Sequence, residues 1–167
     1  PLIDLMCGSG TFLIEGVSNA LKIPSVKKNY LFQNWFDFNE IIFNKEILKI
    51  QNNYLLKNAD AKQTFSKVIG CENNKEIFLQ AKNNIDLSGF SQYIEIHNKD
   101  FCDFQIDSKP GIIVCNPPYG KRLGEENELI DLYLKIGNYL KNNFSGWEFW
   151  LLSGNPLLTR YLKMKAS

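Results

Sequence analysis

The residues in this chain whose types could do chemistry are concentrated at Asn116-Pro117-Pro118-Tyr119. Pro117 and Pro118 have no backbone N–H, fix φ, and disfavour helix at the residue before each of them. The backbone across the turn is therefore rigid and offers carbonyl acceptors rather than donors. Asn116 adds a side-chain amide oxygen and Tyr119 a flat aromatic face. Acceptors beside a stacking ring suit a planar group that carries an NH2, and the exocyclic amine of a nucleobase fits that description. Asn-Pro and Pro-Pro pairs also close strands in plain turns, so these four residues do not decide the matter alone.

A second motif stands near the amino end, where Asp4-Leu5-Met6-Cys7-Gly8-Ser9-Gly10-Thr11 follows a strand-like Pro1 to Leu5 and precedes helical spacing from Phe12 to Lys22. Strand, glycine-rich turn and helix together aim backbone N–H groups and a helix N-terminus into a crevice. The third glycine of the dinucleotide fingerprint is missing, which argues against a nicotinamide-dependent oxidoreductase, and no Gly-Lys-Ser/Thr follows to make a P-loop. Further along, Val68 to Glu72 reads as a second strand ending in an acid, a place where a carboxylate can accept from ribose hydroxyls or simply favour a helix N-terminus. Asp100 and Phe101 follow a third strand, Tyr93 to His97. The acid could take an adenine amino group with the ring beside it, although an Asp in that position is commonly a turn residue. Lys121 and Arg122, in the loop after Tyr119, could hold phosphates. His97 alternates with Ile96 in its strand and reads as a satisfied surface side chain, not a catalytic base.

These residues need a frame, and the pattern provides one. The fourth strand is the apolar Ile112 to Cys115, long enough to be buried on both faces. Helices are expected over Lys75–Leu87, Glu125–Asn142 and Leu157–Lys163, and a fifth strand over Trp147–Leu152. Strands alternating with helices predict an α/β, mostly parallel, doubly wound sheet. Residues 24–60 break the rhythm and are longer than a plain crossover requires. They read as a helical insertion on the outside of the sheet, with an amphipathic helix over Asn39–Leu56 that has room for one break. Trp35, Phe36 and Phe38 there read as packing anchors ahead of a base-stacking platform.

At 167 residues, 44% hydrophobic, the chain suffices for one domain with a real core. A net charge of +1 gives no global basic field, so any nucleic-acid contact must be a local patch. Four scattered cysteines without a C-x-x-C pair read as reduced thiols of a cytoplasmic protein, and the lone histidine argues against zinc. No run is apolar enough to span a membrane. The chain opens at Pro1 with a strand already under way, which reads as a trimmed piece of a longer protein.

Taken together, "DLMCGSGTFLIEG", "NPPYGKRLG" and "LLSGNPLL" resemble the THUMP-linked RNA guanine-N2 methyltransferases, particularly the bacterial large-subunit rRNA type, across nearly the whole chain. The resemblance implies a Rossmann-like class I methyltransferase domain that uses S-adenosylmethionine (SAM), leaves S-adenosylhomocysteine, and acts on RNA as a monomer or weak dimer. On this sequence, Asp4, Cys7, Gly8, Gly10, Thr11 and Phe12 match the motif around the methionine part of SAM. Glu72 matches the ribose-binding acid, followed by Asn73. Asp100 and Phe101 match the adenine-contacting pair, and Asn116, Pro117, Pro118 and Tyr119 match the catalytic loop. Cys71-Glu72-Asn73 stands where the family has an Asp-x-Asp style sequence. Neither the family's preceding THUMP domain nor the C-terminal hairpin that completes its sheet corresponds to anything in this chain, so the fifth strand is expected at an edge with two tryptophans. The same loop serves tRNA guanine-N2 and DNA adenine-N6 methyltransferases, and a non-catalytic nucleoside- or RNA-binding module is the alternative of another class.

Overall fold

The computed structural model describes residues 1–21, 23, 30–57, 67–120 and 126–165. The chain divides into two compact units, Pro1–Ile14 with Ser66–Ser167, and Glu15–Phe65.

The first unit is built on a five-stranded sheet of β1 (Leu2–Asp4), β2 (Val68–Cys71), β3 (Ile94–His97), β4 (Ile112–Cys115) and β5 (Glu148–Leu151), in the order β3-β2-β1-β4-β5. All four pairings are parallel, with Asp4 in register with Gly70 on one side and Val114 on the other. Side chains alternate along each strand. Ile3, Leu5, Ile69, Cys71, Ile113 and Cys115 fall on one face and join a single buried cluster with Tyr133, Ile136 and Leu140 of α4 (Glu126–Asn143). On the opposite face Gly70 is crowded by Leu13, from α1 (Thr11–Ala20), and by Cys7, which is why the strand has no side chain there. Helices pack on both faces, as a parallel sheet requires, but on the Gly70 face the β4–β5 end is left open: Ile112 is 41% exposed, so β4 is buried on one face and not, as expected, on both.

Helix ends follow local chemistry. Asn74 caps α3 (Lys75–Ser88) by accepting from the N–H groups of Glu76 and Ile77. Gly89, at φ 76°, ends it in the left-handed conformation that glycine tolerates. After β5 the expected helix is split into α5 (Pro156–Thr159), capped by Asn155, and a 3-10 turn over Arg160–Leu162. Backbone meets backbone at Gly137 of α4, where a Cβ would fall 2.2 Å from the Leu162 carbonyl oxygen. β5 stands at the end of the sheet order, but of the two tryptophans expected there only Trp150 lies in the strand, and only it is exposed. Trp150 is 60% exposed, whereas Trp147 is half-buried and packs edge-on against Phe144 at 5.1 Å.

The second unit holds a 3-10 turn over Leu31–Asn34 and the unbroken helix α2 (Glu40–Lys57). Phe32, Phe38 and Phe43 pack ring against ring at 5.5–6.0 Å. The aromatic expectation is corrected at two positions: Phe36 is fully exposed, and Trp35 is 67% exposed and meets only the edge of the cluster, through Phe32 at 6.4 Å. The apolar stripe of α2 is also more exposed than its periodicity implies, with Ile41 81% and Ile42 60% exposed. Period 3.6 specifies a helix; it does not specify a cover for the stripe.

Candidate active site

The order β3-β2-β1-β4-β5 reverses direction between β1 and β4, and parallel strands deliver both their C-terminal turns to the same edge. That topological switch point is where open α/β sheets bind ligands. The turn after β1 is the glycine motif, and the turn after β4 is Asn116-Pro117-Pro118-Tyr119.

The glycine turn is fixed from several sides. Gly8 and Gly10 sit at φ 53° and 85°, left-handed conformations that a side chain would strain. A Cβ on Gly8 would meet nothing within 4 Å, so the backbone there faces open space. The Gly10 N–H donates to the Cys7 carbonyl at 2.8 Å, and the Cys7 N–H to the Cys71 carbonyl at 2.9 Å, tying the turn to β2. The amide of Asn84 on α3 donates to the Ser9 carbonyl at 3.0 Å, and Ser9 and Thr11 share a hydroxyl contact of 3.1 Å. Phe12 is half-buried and Thr11 exposed at the start of α1. Burial pushes the Cys7 and Cys71 thiols up to about 12, so both stay protonated and unreactive.

Glu72 is the hub. It is 9% exposed, and its carboxylate accepts from the N–H of Gly8 at 3.1 Å through Oε2 and of Asn74 at 2.8 Å through Oε1. The Asn98 amide donates to the carbonyls of Glu72 (2.8 Å) and Asn73 (3.2 Å), clamping the loop that follows β2. Glu72, Asn73, Asp100 and Phe101 line one cleft, with Met6 and Leu132 among its apolar walls.

Asp100 caps the 3-10 turn Phe101–Asp103, accepting from the Cys102 N–H at 2.9 Å, and its other oxygen takes Lys135 Nζ at 3.0 Å. Burial raises this carboxyl, but the Cys102 N–H and Lys135 outweigh it and hold the group below the usual carboxylate range. Both readings of Asp100, turn residue and cleft acid, are thus present at once. Phe101 is 4% exposed, meets Tyr139 edge-on at 5.3 Å, and has Lys135 Nζ 5.4 Å over its ring. It contributes to the cleft wall from within the core. Sequence reasoning missed Lys135, since no spacing rule links an α4 lysine to an acid 35 positions earlier.

Asp4 is 2% exposed at the end of β1, accepting from the Met6 N–H at 3.1 Å. Burial pushes its carboxyl up to about 7; the Met6 N–H works against that rise, and the Glu72 charge adds to it. With the folded value above the unfolded one, near ~3.9, the native state holds the extra proton between about pH 4 and 7, so this group costs stability progressively as pH rises through that window. Asp4→Asn is therefore expected to melt close to wild type near pH 4 and to gain about 2–4 kcal/mol over it by pH 8. Thermal melts of the ligand-free protein across that range check this, and an offset independent of pH would refute it.

In the second turn, Pro117 is fully buried while Asn116 and Pro118 are exposed and Tyr119 is 38% exposed. A buried proline beneath an exposed amide holds the Asn116 side chain outward on a rigid base. Lys121 and Arg122 lie outside the described residues. His97 is half-buried with Nε2 3.0 Å from Glu95 Oε1, the satisfied arrangement expected of it. Among the described residues no three His, Cys, Asp or Glu side chains cluster to hold a metal, and no helix is long and apolar enough to cross a membrane.

The sheet order and the two turns define a Rossmann-like class I methyltransferase fold. A crystal structure titled "SMU.472, a putative methyltransferase complexed with SAH" matches it with a TM-score of 0.80 at 22% identity, covering 99% of this chain and 42% of that one. The match of residues 1–167 to the model of the RMKL-like methyltransferase domain makes the chain a member of that family. It is 34% identical over 172 residues to the Synechocystis sp. protein named "Putative RNA methyltransferase slr0064", covering 100% of this chain and 42% of the relative. It is 32% identical over 171 residues to "Ribosomal RNA large subunit methyltransferase K/L" of Buchnera aphidicola, covering 99% of this chain and 24% of the relative. The chain thus spans less than half the length of either relative.

Proposed function

We propose that this domain transfers a methyl group from SAM to the exocyclic N2 amine of a guanine in RNA, large-subunit ribosomal RNA first among the candidates. The observation that carries the reading is the pairing of the turns: a glycine cradle after β1 and an acceptor-rich Asn-Pro-Pro-Tyr turn after β4 leave neighbouring strands at one sheet edge. The names of the relatives support RNA as the acceptor.

The residues fit SAM. Gly8 leaves room for close backbone approach, Asp4 supplies a buried carboxyl beneath the turn, and Glu72 and Asp100 stand on one cleft. In this reading Asp4, Cys7, Gly8, Gly10, Thr11 and Phe12 surround the methionine part. Glu72 and Asn73 take the ribose, and Asp100 with Phe101 the adenine. SAM supplies an electrophilic methyl on a sulfonium.

This chain's part is to bring an amine to that methyl. Guanine N2 lies in a groove of a duplex, so the base must be unstacked before it can be reached in line. The Asn116 amide oxygen and the Pro117 carbonyl accept hydrogen bonds from the amine, orient its lone pair, and favour positive charge as nitrogen forms its new bond. Tyr119 stacks on the extruded base. The amine's proton leaves to water after transfer, and positioning supplies most of the rate.

The test is to delete the full-length gene in its source organism and measure N2-methylguanosine in separated rRNA and tRNA by nucleoside mass spectrometry. Loss from large-subunit rRNA alone is expected. Loss from tRNA would move the acceptor and keep the chemistry. No loss in either, with N6-methyladenine missing from DNA, would replace guanine by adenine.

A further inference from the structure

We propose that Gly154, in the Ser153-Gly154-Asn155-Pro156 turn after β5, is a positioning residue that sets the plane of the Tyr119 ring. The inference rests on the reading of Asn116–Tyr119 as the turn that receives the acceptor base. A Cβ on Gly154 would fall 2.7 Å from Cε2, 2.9 Å from Cδ2 and 3.5 Å from Cζ of Tyr119. The ring therefore lies directly against the glycine backbone. The usual reason for glycine in a turn does not apply, because Gly154 is not among the positive-φ glycines. What the position requires is the missing side chain.

The glycine is also held so that its backbone is not the part that gives. Just before it, the Leu152 N–H donates to the Cys115 carbonyl at 2.9 Å, carrying the β5 strand past the residue that precedes Asn116. Ser153 Oγ sits 3.1 Å from the hydroxyl of Tyr133, a fully buried residue of α4, and accepts from the Asn155 N–H at 3.2 Å. Beyond it, Asn155 Oδ1 accepts from the Leu157 N–H at 3.0 Å and caps α5. Gly154 is thus fixed between two anchored neighbours, whereas Tyr119 is 38% exposed and free to move outward. An alanine at 154 pushes the ring, and with it the platform for the base. Misplacement of a reacting group by about 1 Å can cost on the order of 10²-fold in rate.

The experiment uses the full-length protein as wild type, Gly154→Ala, Tyr119→Ala and the double variant. It measures transfer from methyl-tritiated SAM to ribosomal RNA purified from the deletion strain, and SAM affinity by calorimetry. Gly154→Ala is expected to lower kcat about 10- to 100-fold, with SAM affinity unchanged. In the Tyr119→Ala background, where the added Cβ meets no ring, it should have no further effect. Additive losses, or unchanged turnover in Gly154→Ala, would overturn the proposal. A second arm depends neither on activity nor on the folding of Gly154→Ala. The Gly154 Hα protons should be shifted upfield by the Tyr119 ring current in wild type and return to ordinary values in Tyr119→Ala. Ordinary shifts in wild type would overturn the contact itself. A wild type that transfers no methyl while keeping the shift would instead overturn the reading of the turn on which the proposal rests.

Discussion

Asn116→Ala is expected to lower methyl transfer by on the order of 10²–10³-fold while leaving SAM affinity within about twofold of wild type. The separation follows from where the residue stands. Asn116 is exposed on a turn whose next residue, Pro117, is fully buried, so truncating the amide removes an outward acceptor without opening the core. None of the hydrogen bonds that fix the glycine turn, Glu72 or Asp100 involves Asn116. An acceptor from the amine strengthens as nitrogen gains positive charge, so its loss falls on the chemical step and not on ground-state binding of the cofactor. Single-turnover transfer with saturating SAM, beside calorimetric SAM titration, separates the two effects. Asn116→Asp is a sharper companion, since it keeps an acceptor oxygen at the same place and should retain more turnover than the alanine variant. Equal turnover in wild type and Asn116→Ala would remove the residue from the chemistry.

Much of this arrangement was legible in residue types. Apolar Ile112–Cys115 ending at two prolines, and Asp4 leading into Gly8 and Gly10, each specify a strand that stops abruptly, and the structure has both strands and both positive-φ glycines. Local chemistry decides such features, so local sequence reveals them. What sequence did not reveal depends on long-range approach. Lys135 reaches Asp100 only because α4 passes over the turn after β3. Gly154 reads as a turn glycine until its distance to a ring 35 positions earlier is known, and then it is a matter of space. The stripe of α2 shows the converse failure. Ile41, Ile42 and Leu48 have helical spacing and form a helix, yet all three are more than half exposed, because periodicity encodes conformation and burial needs a partner surface.

Glu72→Ala should weaken SAM binding by about 10²-fold or more, equivalent to ~2.7 kcal/mol, and should also destabilise the ligand-free protein. Two causes act together. The carboxylate is largely buried and holds two backbone donors, Gly8 N–H and Asn74 N–H, one from each loop that builds the crevice. Charge-assisted bonds of this kind contribute about 1.5–3 kcal/mol each, and a donor deprived of its partner recovers only part of that from water. The glycine turn would then lose its cross-link to the end of β2, so the cradle is no longer organised before the ligand arrives. Glu72→Gln separates charge from shape: its single carbonyl oxygen can serve only one of the two N–H groups and turns an amide donor toward the other, so it should recover only part of the affinity. The same variant reports on Asp4, whose carboxyl is raised in part by the Glu72 charge. Removing that charge should bring the Asp4 midpoint below about 7, so that the loss of stability, which still begins near pH ~4, ends at a lower pH and is smaller. Asn116→Ala should leave that midpoint where it is. A Glu72→Gln protein that binds SAM as wild type does and keeps the same pH-stability curve would show that neither the two backbone bonds nor the charge of Glu72 organises the crevice.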